Sequence, residues 1–208
     1  LMQYKQALVR HLQDNISIYV FTIVLFVMGI IFGAVIVNSL PYDAKNDLYH
    51  YLNQFFTEMN KGAIAAPNTM LGESFSHSLQ YLGFIWILGL SIIGLPIVFI
   101  LLFIKGIVVG FTVGFLVNQM GLHGFWLALV SVFPQNLMII PTFIIVSTAS
   151  VAFSLRIIRQ LLMKSRKEPL FPQFTRYAGV MFGILAIAFV VALYEAYLSP
   201  VLIKGVVG

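Results

Sequence analysis

The sequence predicts an all-α integral membrane protein: one membrane domain over residues 1–208, built as a polytopic bundle of five transmembrane spans with short amphipathic helices. Composition, the lengths of the apolar runs and the placement of charge predict it. Of the 208 residues 60% are hydrophobic and 9% charged, with a mean hydropathy of +0.97. A soluble domain carries roughly 25% charged residues, so this chain cannot cover a globular surface with solvated groups. The formal charge of +5 and pI near 9.5 would suggest nucleic acid in a soluble protein. Here they follow from Lys and Arg gathered in cytoplasmic loops, and no nucleic-acid partner is expected. The absence of cysteine excludes disulfides and thiolate metal sites. The chain opens on Leu1, as expected of a sequence lacking its first residues.

The first span is the uncharged run 18–40, Ile18 to Leu40, about 34 Å as helix against a hydrocarbon core of about 30 Å. It is too long for the apolar core of a cleaved signal peptide. The next apolar run, Leu79 to Val117, has Lys105 as its only charge and would reach about 58 Å as one helix. It must fold back, and Gly94-Leu95-Pro96 is the expected turn because proline lacks an amide donor. That gives span two at 79–94 and span three at 96–118. Span four is 125–152, interrupted by Pro134 and Pro141, and span five is 177–197.

Charge sets the orientation. Segment 153–176 holds Arg156, Arg159, Lys164, Arg166, Lys167 and Arg176 against Glu168, a net +5. Segment 41–78 holds Lys45 and Lys61 against Asp43, Asp47, Glu58 and Glu73, a net −2. Basic loops stay inside, so 153–176 is cytoplasmic and 41–78 external. Only a double crossing by the 79–117 run satisfies both, which puts the N-terminus inside and the C-terminus outside.

Two stretches outside the spans are amphipathic. In 1–17, Tyr4, Leu8 and Leu12 recur every four residues among Lys5, Arg10 and Gln13. The stretch reads as a helix on the cytoplasmic face or as a plain extension of span one. Outside, Leu48, Leu52, Phe55 and Met59 form a helical apolar stripe. It can pack on the chain's own bundle, lie on lipid or dock a partner.

Small residues recur at four-residue spacing in three spans: Gly29 and Gly33; Gly106, Gly110 and Gly114; Gly179 and Gly183. Lipid offers no hydrophobic force between helices, so close contact needs residues that let backbones approach. The spacing leaves open whether the contacts lie within one subunit or in a homo-oligomer.

Lys105 falls near mid-bilayer, where an insertion cost of about 2.5–3.5 kcal/mol demands protein, water or a path to the surface. Gln135 and Asn136, after the break at Pro134, approach the same depth from outside. Together these three form a candidate intramembrane polar site, for passage of an ion or substrate or as a structural clasp. No acid lies in the middle of a span, against a proton or sodium relay. Glu195, between Tyr194 and Tyr197, reads as an interfacial carboxylate. His11, His50, His77 and His123 show no metal-site spacing, and Gly72-Glu73-Ser74-Phe75-Ser76 lacks the last glycine of a nucleophile elbow. There is no P-loop or GxGxxG motif. No catalytic residue, metal or cofactor is expected, and the protein is not expected to be an enzyme.

Val27-Met28-Gly29-Ile30-Ile31-Phe32-Gly33-Ala34, Phe103-Ile104-Lys105-Gly106-Ile107-Val108-Val109-Gly110, and the segment from Phe125-Trp126 to Pro134-Gln135-Asn136 resemble, in that order, the stage II sporulation protein M family. The resemblance covers essentially the whole chain. It implies a multi-pass protein of the mother-cell septal and engulfing membrane. Its role would be to anchor two peptidoglycan hydrolases resembling stage II sporulation proteins P and D, which carry the chemistry. On that reading Leu48, Leu52, Phe55 and Met59, or the span glycines, carry partner contacts. The alternatives are a transporter- or channel-like protein, or the permease subunit of an ABC-like system with the Arg156–Lys167 loop as coupling surface. That loop reads more simply as touching anionic lipid.

Overall fold

The computed structural model describes residues 15–60, 67–162 and 170–199, with residues 13 and 201 besides. The described residues are helical and contain no strand. The helices are α1 (Ile16–Ser39), α2 (Tyr42–Asn60), α3 (Pro67–Leu88), α4 (Gly94–Ser131), α5 (Phe133–Leu162) and α6 (Leu170–Leu193), followed by a π-helical turn, Tyr194–Leu198. The amphipathic stretch expected within 1–17 lies outside the described residues.

α1 and α4 run parallel and in register. Phe21 meets Phe99 at 4.9 Å between ring centroids, and Asn118 donates to the Asn38 side-chain oxygen at 3.1 Å. Between these points a Cβ on Gly29 would lie 2.5 Å from the Phe103 carbonyl oxygen, and one on Gly106 2.5 Å from that of Phe26. Gly33 and Gly110 face backbone of the other helix in the same way, and Gly114 faces Ala34. Only hydrogen fits in such a seam, which is why glycine recurs every four residues on both helices.

Because α1 and α4 point the same way, the chain between them must return. α3 makes that return, antiparallel to the last helix: Asn68 accepts from Tyr197 at 3.2 Å, Phe75 meets Phe189 at 5.7 Å and Trp86 stacks on Tyr177 at 5.3 Å. α5 descends beside α3, with Tyr81 against Phe143 at 5.6 Å. The core between them gathers Leu82, Ile85, Val98, Leu102, Phe143, Val146 and Val151.

Several expected boundaries move. Among the described residues four helical stretches are long and apolar enough to cross a membrane: Ile16–Ser39, Gly94–Val130, Asn136–Arg159 and Tyr177–Leu198. The expected span two is not among them. Its helix, α3, starts at Pro67 rather than 79 and carries Asn68, Glu73, Ser74, Ser76 and His77 in its first half. The turn lies at residues 89–93, ahead of the expected Gly94–Pro96. Pro96 sits in the first turn of α4, where amide groups have no intrahelical acceptor and proline costs nothing.

The expected span four, 125–152, is two helices. α4 kinks at Gly121, at φ 58° and ψ −132°, a region essentially reserved for glycine. It resumes over 122–131 and folds back, so that Leu127 and Ala128 pack on Leu116. A second break precedes Pro134, and α5 then runs to Leu162. α6 likewise starts at Leu170, ahead of the expected 177. Both ends of the predicted basic loop are therefore helical, because Arg and the neighbouring Leu and Ile propagate a helix well.

Candidate functional site

Lys105 projects from α4 between α3 and α5. Its ammonium lies 5.3 Å from the centroid of Phe143 and 6.0 Å from that of Tyr81, where the negative ring faces attract a cation. Glu195, in the π-helical turn, acts on it electrostatically, and among the described residues no ion pair joins them. The expected meeting with Asn136 does not occur. The Asn136 amide donates to the Val132 carbonyl of its own helix at 2.8 Å. Phe143, the residue on α5 that Lys105 reaches, lies about 10 Å farther along it. The side chain of Gln135 is outside the described residues.

The break before Pro134 is closed by another group. Without a proline N–H the Val130 carbonyl loses its helical donor, and the Tyr194 hydroxyl donates to it at 3.4 Å. The π-helical turn thus places one tyrosine on the α4–α5 break and Tyr197 on Asn68 at the start of α3.

The most developed polar arrangement escaped the sequence reading. It lies where α3 ends at the 89–93 turn. The Tyr177 hydroxyl donates to the Trp86 carbonyl at 2.6 Å, so the 2.8 Å contact with Ser150 is one in which Ser150 donates. Ser150 also lies 3.1 Å from the Ile85 carbonyl. Ser154 shares its single proton between the Gly89 and Ser91 carbonyls, at 2.9 and 2.8 Å. The Ile85 and Ser91 carbonyls also accept the Gly89 and Gly94 amides, whereas the Trp86 carbonyl, whose helical donor Leu90 bonds Ile87 instead, is an orphan carbonyl of a helix end. Inside a membrane an unsatisfied carbonyl of this kind would cost several kcal/mol.

The Tyr177 ring is clamped between Trp86 at 5.3 Å and Phe153 at 4.8 Å, both nearly parallel to it. Gly89 makes room for the knot: a Cβ there would collide with the Tyr177 hydroxyl and with Ser150. One turn away Thr148 bonds Thr22 of α1 at 3.2 Å, while Ser147, fully buried, has no partner. The available signal was the run Ser147-Thr148-Ala149-Ser150 with Ser154 four residues on, since hydroxyls inside a span seek acceptors across helices.

The α2 stripe is partly taken up within the chain. Leu52 packs against Leu116, Leu127 and Ala128, and Leu48 is half-buried. The side chains of Phe55 and Met59 are outside the described residues. Gly179 and Gly183 do not join the glycine seam; a Cβ on either meets nothing within 4 Å. Beside them opens an apolar groove of about 450 Å³ between α5 and α6, lined by Leu137, Pro141, Ile145 and Val190 among others. Among the described residues no three His, Asp or Glu side chains gather as a metal site.

These features define a polytopic helical membrane protein whose interior polar groups tie helices together. The stage II sporulation protein M family model matches residues 22–200, and the chain belongs to that family of sporulation membrane proteins. No curated protein and no solved structure matches it.

Proposed function

We propose that the chain is a membrane scaffold that recruits and positions peptidoglycan-degrading enzymes at the septal and engulfing membrane during endospore formation. The enzymes in view resemble stage II sporulation proteins P and D and supply the hydrolytic chemistry; this chain is not itself an enzyme. Membership of the stage II sporulation protein M family carries the reading. It is supported by an interior in which Ser150, Ser154, Thr22 and Tyr177 engage carbonyls and one another across helices, an arrangement suited to holding a shape.

The topology belongs to the same proposal. α3 crosses as a fifth, less apolar span, a reading supported by the parallel course of α1 and α4. The net +5 of segment 153–176 supports a cytoplasmic 89–93 turn end, with the N-terminus inside and the C-terminus and α2 outside.

Detergent co-purification from sporulating cells tests the scaffold. Wild type is expected to bring down both hydrolases, and a Leu48→Ser, Leu52→Ser, Phe55→Ser, Met59→Ser variant at equal membrane level to lose them. Retention by the variant moves docking elsewhere on the chain. Absence of hydrolases from the wild-type eluate refutes the scaffold.

A further inference from the structure

α5 runs well past the 89–93 turn. Thr22 and Thr148 mark one level of two antiparallel helices. Six residues from each, about 9 Å on, Ile16 begins α1 and Ser154 bonds the 89–93 turn. α5 continues beyond that level to Leu162, and α6, which begins at Leu170, also extends past Tyr177 on that side. Ile157 anchors the extension by packing against Phe153 and Tyr177.

Arg156 and Arg159, both exposed, stand on this extension. Three residues apart, they share a helix face. α5 contains no Asp or Glu, and among the described residues neither arginine has an ion pair or hydrogen bond. Two guanidinium forks thus stand side by side at the end of the Asn136–Arg159 stretch, which is long and apolar enough to cross a membrane, the level at which lipid headgroups would lie. Arginine matches phosphate oxygens through paired N–H donors. The sequence adds Lys164, Arg166 and Lys167 directly after, and a basic cluster of this size beside a span attracts anionic lipid.

We propose that Arg156 and Arg159 form a phosphate seat for an anionic phospholipid of the leaflet at the 89–93 turn end, fixing that end of the bundle on acidic membrane. The ligand is a lipid rather than an acidic protein because the pair sits at headgroup depth on a helix that continues straight into the hydrocarbon.

The test uses the full-length protein in detergent, supplied with equal phosphatidylglycerol and phosphatidylcholine. Both carry a phosphodiester, but only the first has a net charge. Lipids retained per protein are counted by native mass spectrometry. Wild type is expected to prefer phosphatidylglycerol by about fivefold or more. An Arg156→Gln, Arg159→Gln variant with unchanged melting temperature should approach parity, and an Arg156→Lys, Arg159→Lys variant should retain an intermediate preference. Should the glutamine variant not fold, salt decides on wild type: the preference must collapse by about 0.5 M. Equal retention of both lipids by wild type overturns the proposal. So does a salt-insensitive preference, or a folded glutamine variant that keeps it. Displacement by millimolar inorganic phosphate would make this a free-phosphate site, and an acidic protein bound through these arginines without lipid preference would make it a protein contact. Either also overturns the proposal.

Discussion

Tyr177 donates its hydroxyl proton to the Trp86 carbonyl at 2.6 Å while its ring lies within 8° of parallel to that residue's indole. One side chain thereby satisfies the end of α3 and packs α6 against it. The Leu90 amide, the usual helical donor to Trp86, bonds the Ile87 carbonyl instead at 3.0 Å.

Tyr177→Phe keeps the ring stack and removes the proton. The Trp86 carbonyl and Ser150 then lose a buried partner, and a loss of about 1–3 kcal/mol is expected. A lowered melting temperature in detergent checks this, and an unchanged one would mean that water or a shifted Ser150 replaces the hydroxyl.

The glycines separate into two groups by what surrounds them. Gly110→Leu drives a side chain into the Ile30 backbone. Since backbone cannot yield, the cost should exceed the 1–3 kcal/mol usual for overpacking, and membrane level should collapse. Gly183→Leu enters open space and should change stability by less than about 0.5 kcal/mol. A comparison of expression and melting for the pair checks both. If the folded Gly183 variant still blocks sporulation, the open α6 face touches another molecule.

Lys105 distinguishes clasp from path. Lys105→Met retains an unbranched side chain between Tyr81 and Phe143 and removes a charge from the membrane interior. Buried charges replaced by apolar groups often cost nothing, so unchanged or raised stability and normal sporulation are expected. Lys105→Glu sets a carboxylate against two negative ring faces and near Glu195. It should lower the melting temperature clearly. Loss of sporulation in a stable methionine variant would give the ammonium a functional role.

Leu52→Asp places a charge in the cluster of Leu116, Leu127 and Ala128 and should release α2 from that end of the bundle. Limited proteolysis is the measurement: cleavage within α2 should accelerate several-fold while the glycine seam stays protected. Equal cleavage rates would show that α2 is held by other contacts.

Much of the architecture was legible in the chain. Apolar runs longer than the bilayer core announce spans whatever their neighbours do, and glycines every four residues on α1 and α4 announce a close seam. Each of these signals is local, so one stretch of sequence carries it. α3 was read less well: its first half is polar enough to pass for an external segment, and only its place beside α6 reveals a full-length helix. Proline misled in a related way, since Pro96 marks the first turn of a helix as readily as a bend.

The sequence by itself determined that this is a polytopic helical membrane protein of the stage II sporulation protein M family, because hydrophobic length and glycine spacing depend on residues near one another in the chain. Tertiary structure alone decided which glycines meet, that Lys105 faces Tyr81 and Phe143 rather than Asn136, and that Ser150, Ser154 and Tyr177 close the end of α3. Those pairings join residues from 24 to 91 positions apart, and where two such groups meet depends on helix rotation and register, which packing of the whole bundle sets.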